Sequence, residues 1–227
     1  MVDCRGEEPE VPYITVLLHD VNREKIDFEK LRQRINEDMN YFEKITTVCD
    51  GCWPRCVLFP LTPMGNPLVP EFSVGITNSE EIDVSKEAPA TIKKIHEYYI
   101  KWNEWRATSS NSLCPYDVII IYIPGNFFNN GGQESNTVGY AYDLGGAPYI
   151  ILICEGAPAQ VLSHEIGHVL NYSNRNNNKQ DPDPDPENPN HNKNPGNLMY
   201  KEAGDVLTKE QFSKFCESTI LRRPKNV

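Results

Sequence analysis

The chain has 227 residues and a formal net charge of −10. That length suits one domain with a proper core, and the acidic balance argues against nucleic acid as a partner. No run of about 18 apolar residues occurs, so no membrane span is expected.

The opening residues, MVDCRGEEPE, are polar and unlike a signal peptide. They suit a mature form from which targeting parts have been removed. Val11–His19 (VPYITVLLH) reads as a first strand, too apolar to face water on both sides. Asp27 stands where it would cap a following helix. Phe28, Leu31, Ile35, Met39, Phe42 and Ile45 recur at steps of three or four and give that helix one buried face. Cys56–Leu61 and Phe72–Thr77 are strand candidates either side of a Pro- and Gly-rich turn region. Pro89 opens a second long helix, with Ile92, Ile95, Tyr99, Trp102 and Trp105 on its inner face. His96 flanks that face and reads as a surface or packing histidine; His19, ending a strand, reads the same way.

Asp117–Ile123 (DVIIIYI) is a continuous apolar strand, the kind buried on both faces of a sheet. A polar Gly- and Asn-rich loop, Gly125–Asn136, separates it from a strand containing Gly139, Tyr140, Ala141 and Tyr142. Tyr149–Cys154 (YIILIC) is another apolar strand. Near the end, Thr208–Leu221 reads as a closing helix. Thr208 and Gln211 have capping-box spacing, and Phe212, Phe215, Cys216, Thr219 and Ile220 form its inner face.

The seven cysteines are Cys4, Cys49, Cys52, Cys56, Cys114, Cys154 and Cys216. Setting Cys4 aside as a free thiol in a loose tail leaves six, enough for three disulfides in an exported protein. Cys49, Cys52 and Cys56 have a second reading, as part of a structural zinc site. A second C-x-x-C to complete four ligands is missing.

The chemistry concentrates in Val161–Tyr200. His164-Glu165-Ile166-Gly167-His168 is an H-E-x-x-H pattern on a helix that Pro158 can start. Positions i and i+4 share a helical face, so both imidazoles can reach one metal ion. Glu165 is placed to address a water at that ion without binding the ion itself. A buried helix would carry that carboxylate at high cost if it had no role. Catalytic zinc needs a third protein ligand and an open position. Asp181, Asp183 and Asp185 are chemically competent for it, whereas the amide of Asn174 is a poor zinc ligand. The same Asp-Pro alternation, which forces a non-helical path, offers hard oxygens to calcium; its other reading is a solvated polyproline-type loop.

This stretch resembles the metzincin zinc peptidases, matrix-metalloproteinase-like members included. Their pattern is H-E-x-x-H-x-x-G-x-x-H followed by a Met-turn beneath the metal. Here Asn171 and Asn174 stand at the Gly and third-His positions. Asn197-Leu198-Met199-Tyr200 looks like the Met-turn, and His191 stands eight residues before Met199, a spacing familiar in that family. The resemblance therefore implies His164, His168 and His191 as metal ligands, the last displaced by an insertion spanning Asn174–Asn190. Asn171 would end the helix in the left-handed conformation that Asn tolerates.

The implied fold is α+β and metzincin-like. It has a twisted mixed sheet of about five strands, two long helices plus the active-site helix, and a small C-terminal subdomain ending in a helix. Residues 1–227 form one catalytic domain, divided into 10–171 and 172–227. Gly139–Tyr142 would be the sheet edge that takes an extended peptide as an added strand; Tyr140 and Tyr142 as mere core cover is the plainer reading. The implied activity is a zinc-dependent endopeptidase in which Glu165 assists attack of zinc-bound water on a peptide bond, with Met199 as the floor. Two other classes stay open: a zinc hydrolase or amidase on a non-protein substrate, and a catalytically impaired binding module. Zinc is the implied cofactor, with calcium a second candidate at Asp181, Asp183 and Asp185. The implied setting is a secreted monomer acting on protein or peptide, with a cytoplasmic location as the alternative.

Overall fold

The computed structural model of the protein describes residues 13–20, 28–48, 55–60, 78–108, 116–131 and 137–221. Its elements are β1 (Tyr13–Asp20), α1 (Phe28–Val48), β2 (Arg55–Pro60), α2 (Ala90–Thr108), β3 (Val118–Ile123), β4 (Gly139–Tyr142), β5 (Tyr149–Cys154), α3 (Gln160–Tyr172) and α4 (Lys209–Phe215). The class is mixed α+β. No helix among the described residues is long and apolar enough to cross a membrane. The Phe72–Thr77 strand candidate and the cap position Asp27 lie outside the described residues.

The chain forms two compact units. Apart from short N-terminal pieces, one comprises Thr15–Arg34 and Cys56–Ala157, the other Ile35–Arg55 and Pro158–Val227. The first holds a sheet with strand order β2-β1-β3-β5-β4. β1 and β5 both run parallel to β3, so Ile120 lies between Leu18 and Ile151. β4 runs antiparallel to β5, with Tyr140 opposite Leu152. Every residue of β3 and β5 is buried. Interior strands covered on both faces need no alternation, which is why VIIIYI and YIILIC are unbroken apolar runs.

In α2 the buried stripe is shorter than its spacing suggested. Ile92 and Ile95 are fully buried and Tyr99 nearly so, but Trp105 is 53% exposed. The outer rings pack on one another instead: Tyr98 stacks on Trp102 and Trp102 lies against Trp105. His96 is a packing residue, buried, with Nε2 3.4 Å from the Gly146 carbonyl.

The second unit contains the C-terminal part of α1, then α3, α4 and the long connection between them. Phe42 and Ile45 are the buried anchors of α1, and the Tyr41 hydroxyl donates to Asp205 at 2.5 Å. α3 is buried from Val161 to Asn171. α4 has the expected capping box: Thr208 accepts from the Gln211 amide while the Gln211 side chain takes the Thr208 amide. It stops at Phe215, however, well short of Leu221. The chain leaves the helix to bond with the segment that follows α3. Arg175 N–H donates to Glu217 O, and both Thr219 N–H and its hydroxyl donate to Ser173 O.

Two further expectations need correction. Cys154 is a fully buried free thiol at the end of β5, so the six cysteines do not make three disulfides. Burial pushes its pKa up to about 12. Cys216 is disulfide-bonded. Asn171 is not a left-handed terminus: α3 runs through it to Tyr172, and Ser173 closes the helix with φ −87°. The Ser173 hydroxyl donates back to Val169 O at 2.8 Å, supplying a polar stop without positive φ.

Candidate metal centre

α3 presents His164 and His168 one turn apart, both 5% exposed. The loop between α3 and α4 brings His191 to them. His168 Nε2 lies 3.0 Å from His164 Nε2 and 3.3 Å from His191 Nε2. Among the described residues these three form the group able to converge on a metal ion, with ligand atoms within 4.8 Å of one another. Two nitrogens each ~2.0–2.1 Å from a tetrahedral zinc ion would stand roughly 3.3 Å apart, so the donor set fits zinc.

The electrostatics agree with that fit. His164 Nδ1 donates to the Leu198 carbonyl at 2.6 Å. A carbonyl only accepts, so the proton sits on Nδ1 and the lone pair of Nε2 faces the other imidazoles. Burial, and then repulsion from a charged His191, lower the His164 pKa to about 4 against an opposing pull from Leu198 O. Burial also holds His168 well below its ordinary value, reinforced by His164 and His191. His191 is lowered by burial, with Asp185 and Asp181 pulling the other way. Three imidazoles pushed toward the neutral form, with their Nε2 atoms facing one another, are what a divalent cation needs.

Glu165 is 5% exposed, beside His164 on the same buried helix. Met199 is fully buried and lies against Gly167, between the two helical histidines in sequence; Phe215 of α4 closes the same spot. The turn carrying Met199 is tight: Tyr200 N–H donates to Asn197 O, and Leu198 N–H to Val206 O.

The Asn174–Asn190 segment is a largely solvated loop, as expected, but it does not follow an open polyproline path. It folds back on itself: Asp181 N–H donates to Pro189 O, Asp185 N–H to His191 O, and His191 N–H to Asn188 O. Its composition explains how. From Asn174 to Met199, Asn and Asp side chains repeatedly accept from the amide two residues on, at 174, 178, 181, 185, 192, 194 and 197. Each is an Asx-turn, the local bond these residues favour over helix or strand. A string of them bends the chain until His191 reaches α3.

The other candidate ligands are engaged elsewhere. Asn174 Nδ2 donates to Glu217, and Asn174 Oδ1 accepts from the Asn176 amide. Asp183 is paired with Lys193 at 2.7 Å and Asp185 accepts from the Glu187 amide. Asp181 is buried inside a hydrogen-bond network, not aimed at the histidines. The structure does not gather the three aspartates as a calcium cluster. Gly139–Tyr142 form β4, at one end of the strand order in the first unit, where the Tyr140 and Tyr142 rings lie against each other.

Sequence reasoning missed three parts of this site. The Leu198 carbonyl was invisible because a backbone acceptor leaves no residue-type signal. Asn192 carried no signal, and Asn197 was legible only as part of the Met-turn stretch. Gln211 was legible only as a helix cap.

No family profile matches the chain. No curated protein matches it either. Among solved structures it is similar to metalloproteinase-II from Bacteroides fragilis, at 14% identity and a TM-score of 0.48. The likeness covers 92% of this chain and 53% of that one, so this chain spans about half the length of that protein.

Proposed function

We propose that the chain is a zinc-dependent endopeptidase of metzincin type. The observation that carries this reading is the convergence of His164, His168 and His191 as neutral imidazoles beside a buried Glu165. His191 supplies what the H-E-x-x-H pair lacks, and the departure at Asn174 loses its force once a displaced histidine takes that place.

When bound, zinc supplies Lewis acidity toward the attacking water and the scissile carbonyl. His164, His168 and His191 would hold the ion, each offering one ring nitrogen. Glu165 accepts a proton as the attacking water forms the new C–O bond, then delivers it to the amine nitrogen as the peptide C–N bond breaks. The Leu198 carbonyl fixes the His164 ring and its tautomer during this cycle. Met199, buried against Gly167, provides an apolar floor. Gly139–Tyr142, at one end of its sheet's strand order, is the stretch that this reading assigns to an extended peptide.

The test is hydrolysis of casein or gelatin by the purified chain, with and without a chelator, followed by a peptide-library profile. Chelator-sensitive cleavage of peptide bonds supports the reading. Zinc-dependent hydrolysis confined to small non-protein amides would replace it with the amidase alternative.

A further inference from the structure

We propose that Asp181 is a positioning residue for His191, holding the third imidazole in place from inside the loop that delivers it. The inference rests on the metal-site reading above and adds a residue outside the ligand set.

Asp181 is 3% exposed, in a loop where Asp183 and Glu187 face solvent and Asp185 is half-buried. A carboxylate is not buried cheaply unless its oxygens are hydrogen-bonded. Here they are. Oδ1 accepts from Asn192 Nδ2 at 2.7 Å and from the Asp183 amide at 2.9 Å, and Oδ2 accepts from Gln211 Nε2 at 2.6 Å.

The bonds continue into a closed ring. Gln211 and Asn197 exchange two amide bonds, each 2.9 Å. Asn197 Oδ1 accepts the Met199 amide at 2.8 Å, and the Met199 carbonyl accepts the Asn192 amide at 2.8 Å. Asn192 then returns to Asp181. Asn192, Asn197 and Gln211 are each at most 2% exposed. This ring grips the site at two points. Asn192 is the next residue after His191, so its position sets where the His191 backbone lies. Leu198, whose carbonyl holds His164, sits between Asn197 and Met199 inside the ring.

The chemistry requires an acid at the centre. Two side-chain amides and one backbone N–H all point donors at position 181. A carboxylate only accepts and can satisfy all three; an amide would aim its own N–H2 at one of them. Asp181 therefore acts through the ring on the imidazole. It has no free oxygen for a metal.

The experiment is competition for zinc against a chromophoric chelator. It uses the wild-type chain, Asp181→Asn and Asn192→Ala, and Asp181→Asn again in a His191→Ala background. Cobalt absorption spectra accompany each. The expected result is a zinc affinity lower by about 10–100-fold in both single variants, with an altered cobalt band. In the His191→Ala background, Asp181→Asn should cost several-fold less affinity than in the wild type, since only the path through Leu198 to His164 remains. Asn192→Ala carries the comparison should Asp181→Asn not be recovered folded. Affinities and cobalt spectra matching wild type would overturn the proposal while leaving the metal reading intact. So would an equal loss with His191 already removed. A wild-type chain that binds no zinc contradicts the metal reading itself, and this proposal with it.

Discussion

Met199 lies so close to Gly167 that a Cβ at position 167 would collide with its sulfur. Gly167 falls between the two helical histidines, so its missing side chain is what lets the turn after His191 seat against α3. Gly167→Ala would gain about 1 kcal/mol of helix propensity but meet a fully packed thioether and Phe215. Overpacking of this kind costs about 1–3 kcal/mol, so the variant should be less stable than wild type. A double-mutant cycle with Met199→Ala checks the cause. The two changes should be strongly non-additive in denaturant midpoints; additive effects would mean that the contact does not limit position 167.

Glu165→Ala separates binding from chemistry. Zinc content should be unchanged, because the three imidazoles provide the donor set. Turnover of peptide should drop by about 10²–10⁴-fold, the usual worth of a positioned acid–base group. Zinc and activity lost together would make Glu165 part of the binding site and not the base.

The metal-free chain should be acid-sensitive in a defined window. In the unfolded chain the three histidines titrate near the ordinary 6.5, whereas burial lowers His164 to about 4 and lowers His168 and His191 as well. Between those values the unfolded state takes up protons that the folded state refuses. The stability from neutral burial is thus complete above about pH 6.5 and is lost as pH falls toward about 4. Denaturant midpoints of chelator-treated protein should follow this fall, and His168→Gln should make it shallower. An equally steep fall in that variant would assign the acid sensitivity to other groups.

Asn171 is fully buried, and neither its amide oxygen nor its nitrogen has a hydrogen-bond partner among the described residues. An unsatisfied buried polar group costs about 1–3 kcal/mol. Asn171→Leu, close in volume, should raise the melting temperature. A lower one would show that the amide has a role in the native state.

Much of this was legible in sequence, for physical reasons that differ by region. β3 and β5 were plain because a doubly covered strand must be apolar throughout. The H-E-x-x-H helix was plain because two ligands on one helical face have a fixed spacing. His191 was found only by counting back from Met199, since the loop between obeys Asx-turn chemistry and not a period. Asp181 was noticed for its charge and misjudged. Its acidity serves three donors that come from residues 183, 192 and 211, a convergence no local pattern announces. The end of α4 was overrun because Cys216–Ile220 keep an apolar spacing, while their backbone groups bond to the segment after α3.

The central claim is that His191 completes a catalytic zinc site with His164 and His168. Its most direct test is zinc content together with casein cleavage for the wild type and His191→Ala, prepared side by side. The wild type should carry about one zinc per chain and show chelator-sensitive cleavage; in the variant cleavage should be lost, and zinc bound so much more weakly that it does not copurify. A variant that retains one zinc and cleaves normally would place the third ligand elsewhere and contradict it.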